Sequence, residues 1–370
     1  MKLQKNSLPV RLFSLAATLI TRFQAFTNRM TPAPFRLIQA GSAFWLSRVL
    51  YVATRLDIAG ILANETLSVS DIATKVSAQP DAINRMLRFL ASRGIFSQVR
   101  PGYFSNNKIS AYLREDNPHN VRSMILMHNS REMSQPWYEQ LEAAIRTGGV
   151  PFRLAHQEEL YCYTSTHNEF GALFNSAMET VEALSGDSFA VDFNWGNFAR
   201  LFDLGGGVGS KAVTILRHYP QLQAEVIDSV SVIQNAREYW QHRLDNGLLQ
   251  RLTFSSGDIL KAVPPANDDR DIYFLCGVLH GLDDTDCIQV LTNIALASGS
   301  SGACIAVMEM VMDTQQPDML STAADMQMFM GTRGRERSLD EWHSLFNQSG
   351  IQLAEVVRLR NLGCILVARS

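Results

Sequence analysis

The chain has 370 residues, of which 46% are hydrophobic, so it is long enough for two folded domains with sizeable cores. Its five cysteines are scattered and contain no C-x-x-C pair, so they suggest neither a zinc site nor a disulfide framework, which fits a reducing cytosol. The net charge of −3 conceals an asymmetry, because residues 1–120 carry a net charge of +9. Either this part meets an anionic partner, or the two parts of the chain complement each other.

Residues 1–34 form the first segment. Lys2 and Lys5 precede an apolar run, as in a signal peptide, but Arg11 and Arg22 bracket that run and no cleavage site follows. The run is too short to span a membrane. Apolar residues repeat near one helical face, namely Leu12, Leu15, Leu19, Phe23 and Phe26. We expect an amphipathic arm that packs or is exchanged between subunits. Membrane contact of residues 1–30 through their arginines remains a less favoured alternative.

Residues 35–118 read as a winged helix. The pattern predicts a long helix over 35–63 and a short helix capped by Ser68. A further helix runs from Pro80 to Gly94, and a hairpin then turns at Pro101-Gly102. Such a module raises the hypothesis of DNA binding.

The second helix of this module argues against that hypothesis. It carries Arg85, Arg88 and Arg93, but Leu87 and Phe89 leave little continuous polar face for reading bases. We therefore expect no nucleic-acid partner, and we expect Trp45, Val49 and Leu87 to lie in an interface between subunits.

Residues 119–190 are predicted to be mostly helical. Phe170, Phe174, Ala177, Met178 and Val181 repeat at helical spacing, which usually indicates core packing. If a pocket faces this helix, Phe174 and Met178 supply an apolar wall.

The most informative stretch begins at Leu201. An apolar strand ends at Leu204 and is followed by glycines, a helix and a second strand that ends at Asp228. This order of elements is half of a doubly wound nucleotide-binding fold. The glycines leave room for a ligand lying on the turn, and a carboxylate at the second strand tip accepts ribose hydroxyls.

The spacing of the glycines discriminates between ligands. A dinucleotide site has the pattern G-x-G-x-x-G, but here the third glycine position is Ser210. The pattern G-x-G-x-G, preceded by Asp203, favours an adenosyl ligand without a pyrophosphate.

Further strands follow in alternation with helices. They are predicted over 252–258, 271–279 and 303–312, and a closing hairpin over 352–368. Ligands bind at the carboxyl ends of such strands, where four polar residues stand: Asp228, Asp258, His280 and Glu309. No nucleophile elbow and no P-loop is present.

Residues 40–370 resemble the S-adenosylmethionine-dependent O-methyltransferases typified by the caffeic acid, acetylserotonin and hydroxyneurosporene enzymes. Four motifs carry the resemblance: Leu204-Gly205-Gly206-Gly207-Val208-Gly209, Gly257-Asp258-Ile259, Val278-Leu279-His280-Gly281-Leu282-Asp283-Asp284 and Gly334-Arg335-Glu336-Arg337-Ser338, with Glu309 in Val307-Met308-Glu309. The resemblance implies an α/β fold: a Rossmann-like class I methyltransferase domain over 191–370, preceded by an all-α winged-helix dimerisation domain.

The resemblance also implies the roles of individual residues. His280 is the general base, with Glu309 and Glu336 beside it, and no metal is expected. S-adenosylmethionine is held by Asp203, Gly205, Gly207, Gly209, Asp228, Ser229, Gly257, Asp258, Ile259 and Cys276. We expect the substrate to contact Phe174, Met178, Gln327 and Met328.

The expected enzyme is a homodimer that methylates a hydroxyl of a small aromatic or apolar acceptor. Because imidazole titrates at about pH 6.5, a neutral His280 can take the acceptor proton, and the rate should rise with pH.

Three positions depart from the family's pattern. Gly281 and Leu282 replace an aspartate and a tryptophan, and Cys276 stands where many relatives have a basic residue. Two alternatives therefore remain open: a relative that binds the cofactor but catalyses a non-methylating reaction, and a winged-helix DNA-binding regulator that senses the cofactor.

Overall fold

The computed structural model describes residues 3–361 and 363–370, without the side chains of residues 21, 22, 24–29, 182 and 185. The chain divides into two compact units. We call residues 20–185 the helical unit, and residues 3–19 with Gly186–Ser370 the sheet unit. The expected closing turn at Asn361-Leu362-Gly363 includes residue 362, which lies outside the described residues.

The helical unit contains twelve α-helices, the first of which begins in the sheet unit, and three short strands among the described residues, together with a 3₁₀ helix (Ser110–Leu113) and a π-helix (Pro136–Gln140). The helices are α1 (Ser7–Met30), α2 (Ala33–Gly41), α3 (Ala43–Arg55), α4 (Ile58–Leu62), α5 (Val69–Lys75), α6 (Pro80–Ser92), α7 (Arg122–Asn129), α8 (Arg131–Gln135), α9 (Leu141–Thr147), α10 (Pro151–His156), α11 (Leu160–Thr166) and α12 (Asn168–Ser185). The strands are β1 (Leu67–Ser68), β2 (Ser97–Arg100) and β3 (Tyr103–Ser105), which form one antiparallel sheet in the order β1-β3-β2.

The predicted helix over 35–63 is wrong in detail, because the structure has three helices there. The chain breaks at Ser42 and again at Asp57, whose φ of 50° is left-handed and ends α3. The expected cap at Ser68 is present, since its hydroxyl accepts from the Asp71 N–H at 3.1 Å. The expected all-α module also contains the three-stranded sheet, because β1 adds to the hairpin of β2 and β3.

Leu87 is fully buried in the core of the helical unit, together with Ile72, Leu90 and Phe104. The expectation that Leu87 lies in a subunit interface is therefore wrong, because that side chain is already covered by its own domain. Trp45, by contrast, is 56% exposed.

The sheet unit contains a seven-stranded sheet. Its strands are β4 (Arg200–Leu204), β5 (Gln223–Asp228), β6 (Leu252–Ser256), β7 (Asp271–Cys276), β8 (Cys304–Glu309), β11 (Gln352–Arg358) and β12 (Cys364–Arg369), in the order β11-β12-β8-β7-β4-β5-β6. Two short strands, β9 (Val311–Met312) and β10 (Arg337–Ser338), pair separately. The helices are α13 (Ser188–Asp192), α14 (Ser210–His218), α15 (Val230–Gln241), α16 (Asn246–Leu249), α17 (Asp284–Ser298), α18 (Met319–Gly331) and α19 (Leu339–Gln348).

Strands β4 to β8 are parallel, and β12 and β11 add antiparallel at one edge. This arrangement confirms the expected doubly wound sheet with a closing antiparallel hairpin. Because β4 lies between β5 and β7, the strand order reverses direction at β4, and ligands bind at the carboxyl ends there.

Both faces of the sheet are buried, as expected for parallel strands. Leu201 packs with α13–α15 on one face, and its neighbour Phe202 packs with α17 and α19 on the other. Each fully buried side chain of this kind contributes roughly 1.5–3 kcal/mol. The sheet is thus a rigid support for the loops at its carboxyl edge.

The first residues of the chain are attached to the sheet unit. Gln4 forms a bridge with Phe193, its side chain exchanges hydrogen bonds with the backbone of Arg358, and Leu3 is buried. Within the described residues, no helix has the length and apolar character needed to cross a membrane.

Candidate active site

The turn after β4 needs its glycines for two reasons. Gly205, Gly207 and Gly209 have φ values of +66°, +59° and +84°, which side chains rarely adopt. A Cβ on Gly205 would also lie 2.9 Å from Val278, and one on Gly209 would lie 2.9 Å from Val226. The turn can therefore lie close to the neighbouring strands only with glycine at these positions.

Asp228 joins this turn to the tip of β5. Its carboxylate accepts the Gly207 N–H at 2.9 Å and the Ser229 N–H at 2.7 Å. A carboxylate so held is oriented before any ligand arrives, and its remaining lone pairs can accept hydroxyl groups.

A cavity of about 510 Å³ opens beside Asp228, which is within the usual range for a small-molecule site. Residues at the carboxyl ends of three adjacent strands line it: Gly205, Ile227, Asp228, Ser229, Val230, Ser256, Gly257, Asp258 and Ile259. The structure therefore brings together six of the ten expected cofactor residues around one cavity.

The other four expected cofactor residues do not line this cavity. Gly207 and Gly209 continue the turn, and Asp203 is buried beneath it, since a Cβ on Gly206 would lie 2.6 Å from the Asp203 carboxylate. Cys276 is half-buried at the end of β7.

Asp258 is available as an acceptor at the far side of the cavity. Its carboxylate contacts Lys261 Nζ at 3.1 Å and accepts the Leu260 N–H at 3.1 Å. The hydrogen bond from Lys261 lowers the pKa of Asp258, so this side chain is ionised at neutral pH. Acids at both ends of a nucleoside-sized cavity, with a glycine turn that leaves room between them, fit an adenosyl group.

His280 lies on the neighbouring loop, in a short 3₁₀ helix of Leu279–Gly281. The predicted strand over 271–279 is too long, because β7 ends at Cys276 and Gly277 turns the chain with a φ of +64°. This turn moves His280 off the strand end and toward β8.

Two buried carboxylates surround His280. Its Nδ1 lies 2.9 Å from Glu336 Oε1 and 3.6 Å from Glu309 Oε2. Glu309 Oε1 accepts the N–H groups of Val278, Leu279 and His280 at 3.1, 3.1 and 3.4 Å. One glutamate thus fixes the backbone of the loop, and the other fixes the ring.

The carboxylates decide the protonation state of the ring. Burial lowers the pKa of His280, but the charge of Glu309 and the hydrogen bond to Glu336 outweigh burial and raise it to about 9. Burial raises the pKa of Glu309, against the charge of His280. The ring therefore carries a proton in most molecules at pH 7, and about 1% of them hold a neutral imidazole.

The same three residues form a cluster of possible metal ligands, which was not seen in the sequence. Their donor atoms lie within 4.8 Å of one another, so the described part of the chain does contain a set of side chains able to hold a cation. The hydrogen bond between His280 and Glu336 gives both side chains a partner within the protein.

The expected substrate residues divide between the two units. Phe174 and Met178 lie on α12 of the helical unit, where Phe174 packs against Tyr161 and Phe170. Gln327 and Met328 lie on α18 of the sheet unit, two and three residues after Asp325, which accepts the Glu336 N–H at 2.9 Å. Only the second pair is thus connected to the catalytic loop within one unit.

Two supporting residues were missed in the sequence. Trp240 donates its Nε1–H to the Val208 carbonyl at 2.6 Å and so holds the glycine turn from α15. Arg337 is fully buried beside His280. Arg337 belongs to the motif Gly334-Arg335-Glu336-Arg337-Ser338, so the sequence offered a reason to single it out. Nothing in the sequence pointed to Trp240.

The doubly wound sheet, the nucleoside-sized cavity and the histidine on the next loop define a nucleoside-dependent transferase of the class I methyltransferase fold. Residues 138–352 match the family model described as the O-methyltransferase domain, and residues 38–116 match the O-methyltransferase dimerisation domain. The chain belongs to the S-adenosylmethionine-dependent O-methyltransferase family.

The names of the relatives describe methylation of either oxygen or nitrogen. The phenazine O-methyltransferase PhzM of Lysobacter antibioticus is 28% identical over 332 residues, covering 89% of this chain and 95% of the relative. The phenazine-1-carboxylate N-methyltransferase of Pseudomonas aeruginosa is also 28% identical, covering 90% and 96%. The solved structure of the mitomycin 7-O-methyltransferase MmcR has a TM-score of 0.82 at 26% identity, covering 91% and 97%. Since these names differ in the atom methylated, the family alone leaves the acceptor atom open.

Proposed function

We propose that the enzyme methylates a hydroxyl group of a small aromatic or apolar metabolite and that His280 removes the hydroxyl proton. The observation that supports this most strongly is the buried pair of His280 and Glu336, whose 2.9 Å contact leaves the other ring nitrogen available. Among the described residues, His280 Nε2 has no hydrogen-bond partner.

The pair performs the two tasks of a general base. Glu336 accepts the Nδ1–H of a neutral His280, which fixes the tautomer and leaves a lone pair on Nε2. When Nε2 takes the acceptor proton, the resulting imidazolium is stabilised by two carboxylates. The raised pKa of His280, about 9, also brings it close to that of a phenol, about 10, which favours proton transfer.

We propose that the cavity beside Asp228 holds the adenosyl part of the cofactor. Asp228 would accept ribose hydroxyls, Asp258 would meet the adenine amino group, and the turn at Gly205 and Gly207 would pass beneath. When bound, S-adenosylmethionine supplies an electrophilic methyl group. The protein then has to orient the acceptor and remove its proton.

Hydroxyl methylation is tested with a matched panel of acceptors. The wild-type protein is incubated with S-adenosylmethionine and pairs of aromatic compounds that differ only in carrying a hydroxyl or an amino group. We expect transfer to the hydroxyl partner, identified by mass and by the carbon shift of the new methyl group. Transfer only to amines would contradict the proposed acceptor, and the absence of transfer to either class would favour the non-methylating alternative. A parallel incubation with EDTA should give the same rate, since a proton-accepting His280 needs no cation.

We further propose a cytosolic homodimer, which the match of residues 38–116 to a dimerisation domain supports. The interface would use the apolar residues that α1–α3 leave exposed, since α2 has no buried residue and Phe35, Leu37, Ile38, Phe44 and Trp45 are 47–75% exposed. Light scattering tests this, because a dimer has twice the 41.3 kDa mass of one chain. A monomer at micromolar concentration would contradict it.

The DNA-binding alternative has less support in the structure. On α6, Arg85 is paired with Asp81 at 2.7 Å, which offsets part of the positive charge of that helix. A gel shift at low and moderate salt distinguishes a DNA-binding domain from a dimerisation domain. DNA binding through arginines gives a shift that weakens steeply with salt, whereas a dimerisation domain gives no shift.

A further inference from the structure

Arg337 is a fully buried arginine for which methyl transfer itself requires no role. Its guanidinium donates to the Leu279 carbonyl at 2.9 Å and to the Leu282 carbonyl at 2.8 Å. It also holds Asp284 Oδ1 through Nε at 3.0 Å and Nη2 at 2.9 Å. The two carbonyls lie on either side of His280 along the chain, so the planar guanidinium spans the short segment that carries the ring.

The segment with Arg337 is packed directly on that of His280. A Cβ on Gly334 would lie 2.0 Å from the His280 carbonyl oxygen, so the two backbones are in contact. Outside this contact, Arg333 pairs with Asp283 at 2.6 Å and with Asp286 at 2.7 Å. Arg333 is half exposed, so its pairs contribute little, whereas the side chain of Arg337 is fully buried and only its partner Asp284 reaches water.

We propose that Arg337 is the positioning residue of the base: it holds the backbone on both sides of His280 so that the ring meets Glu336. Glu336 precedes Arg337 in the chain, so a single segment supplies both the carboxylate that binds the ring and the guanidinium that fixes the ring's backbone. This inference rests on the proposed role of His280 as base.

The position of Arg337 also has an electrostatic consequence. Its positive charge opposes the proton on His280 and so lowers the pKa of His280, against the two glutamates. Removing Arg337 should therefore have two effects of different kinds. The ring should lose its alignment, and its titration should move.

The test compares Arg337→Met with Arg200→Met. Arg200 is a suitable control because it also pairs with a buried aspartate, Asp271, but at the amino ends of β4 and β7. For Arg337→Met we expect kcat to fall about 10- to 100-fold, the effect of a small misplacement of a catalytic group, with an unchanged Kd for S-adenosylhomocysteine. For Arg200→Met we expect wild-type kcat.

The second readout does not depend on turnover. The titration of the His280 ring is followed by NMR in protein with ¹³C-labelled histidine and without cofactor, and the His280 signal is assigned with His280→Gln. We expect the midpoint to fall in Arg337→Met, because the hydrogen bond to Glu336 that is lost raises the pKa of His280 more than the charge of Arg337 lowers it, and to stay in place in Arg200→Met. A rise would report only the loss of the Arg337 charge, with the ring still held by Glu336, and would count against the proposal. A folded Arg337→Met protein with wild-type kcat and titration would overturn the proposal.

A second variant covers the case in which Arg337→Met does not fold. Asp284 is about half exposed, so Asp284→Asn should be tolerated, yet it removes the charge that orients the Arg337 guanidinium. For Asp284→Asn we expect a smaller loss of kcat than for Arg337→Met, about 3- to 10-fold, and a displaced midpoint of the His280 titration. A wild-type kcat together with a wild-type midpoint would count against the proposal. If His280→Gln itself keeps full turnover, the role of His280 as base fails, whereas the NMR titrations still report whether Arg337 positions the ring.

Discussion

Replacing Glu336 by glutamine should change the pH dependence of the enzyme in a way that separates two functions of this carboxylate. Glu336 raises the pKa of His280 through a hydrogen bond to Nδ1 and through its charge. Glutamine has nearly the same shape and can still accept that hydrogen bond, but it carries no charge. We expect the variant to fold as the wild type and its His280 to lose a proton at lower pH.

The magnitude follows from the pKa of His280. Only the neutral ring accepts a proton, so below a pKa of about 9 the rate rises about tenfold per pH unit. Between pH 7 and pH 9 the neutral fraction of the wild type grows from about 1% to about 50%, which predicts a roughly 50-fold rise in kcat/KM. In Glu336→Gln the inflection moves to lower pH, although Glu309 still raises the pKa of His280, so the same rise should be smaller than in the wild type.

The value at which kcat/KM levels off at high pH should also be lower in Glu336→Gln than in the wild type. With one charge fewer, the imidazolium is less stabilised as the acceptor proton arrives, and a loss of about 10- to 100-fold is expected above pH 9. At pH 7 the gain in neutral His280 offsets part of this loss, so wild type and variant should differ less there than above pH 9.

The assay is kcat/KM from pH 6 to pH 10 with an aliphatic alcohol acceptor, which does not titrate in this range. A phenol of pKa about 7 is the control, because above pH 8 it is already ionised and needs no base. A flat wild-type profile, or the same inflection in both proteins, would refute the reasoning.

Other predictions follow from the contacts around the cofactor cavity and the exposed helices. Asp228→Ala should raise the Kd for S-adenosylmethionine about 10- to 100-fold in calorimetry, because it removes the proposed ribose contacts and the bond to Gly207; an unchanged Kd would contradict the site. Trp240→Phe removes the bond to Val208 and should weaken the same binding about 2- to 10-fold; equal affinity in Trp240→Phe and wild type would mean that the turn holds itself. Trp45→Asp should shift the assembly from dimer to monomer in light scattering; an intact dimer would place the interface elsewhere.

The local parts of the site could be predicted from the sequence because each depends on a few neighbouring residues. The run from Leu201 to Asp228 contains a strand, a turn that only glycine adopts, a helix and a terminal acid. The cap at Ser68 was predictable for the same reason, since its partner is three residues away.

The errors concern features that local pattern does not encode. The break at Asp57 depends on a left-handed backbone at a residue other than glycine, and apolar spacing does not reveal it. The end of β7 at Cys276 was missed because the apolar run continues through Leu279.

The catalytic cluster depends on strand order. Glu309 meets the backbone of Val278–His280 because β8 lies next to β7, and Glu336 comes from a loop 56 residues after His280. Nothing in the sequence near His280 predicts those distances, and the resemblance to a family supplied the three residues without their geometry. The raised pKa of His280 is likewise a product of contacts between distant parts of the chain.

The most direct test of the proposed function is the turnover of His280→Ala with S-adenosylmethionine and a hydroxyl acceptor that is not ionised at the pH of the assay. Loss of a general base predicts a fall in kcat of roughly 10²- to 10⁴-fold, with little change in cofactor affinity, because Asp228 and Asp258 line the proposed cofactor cavity and His280 does not. Near-wild-type turnover of His280→Ala would contradict the proposed role and leave His280 as a structural residue of its loop.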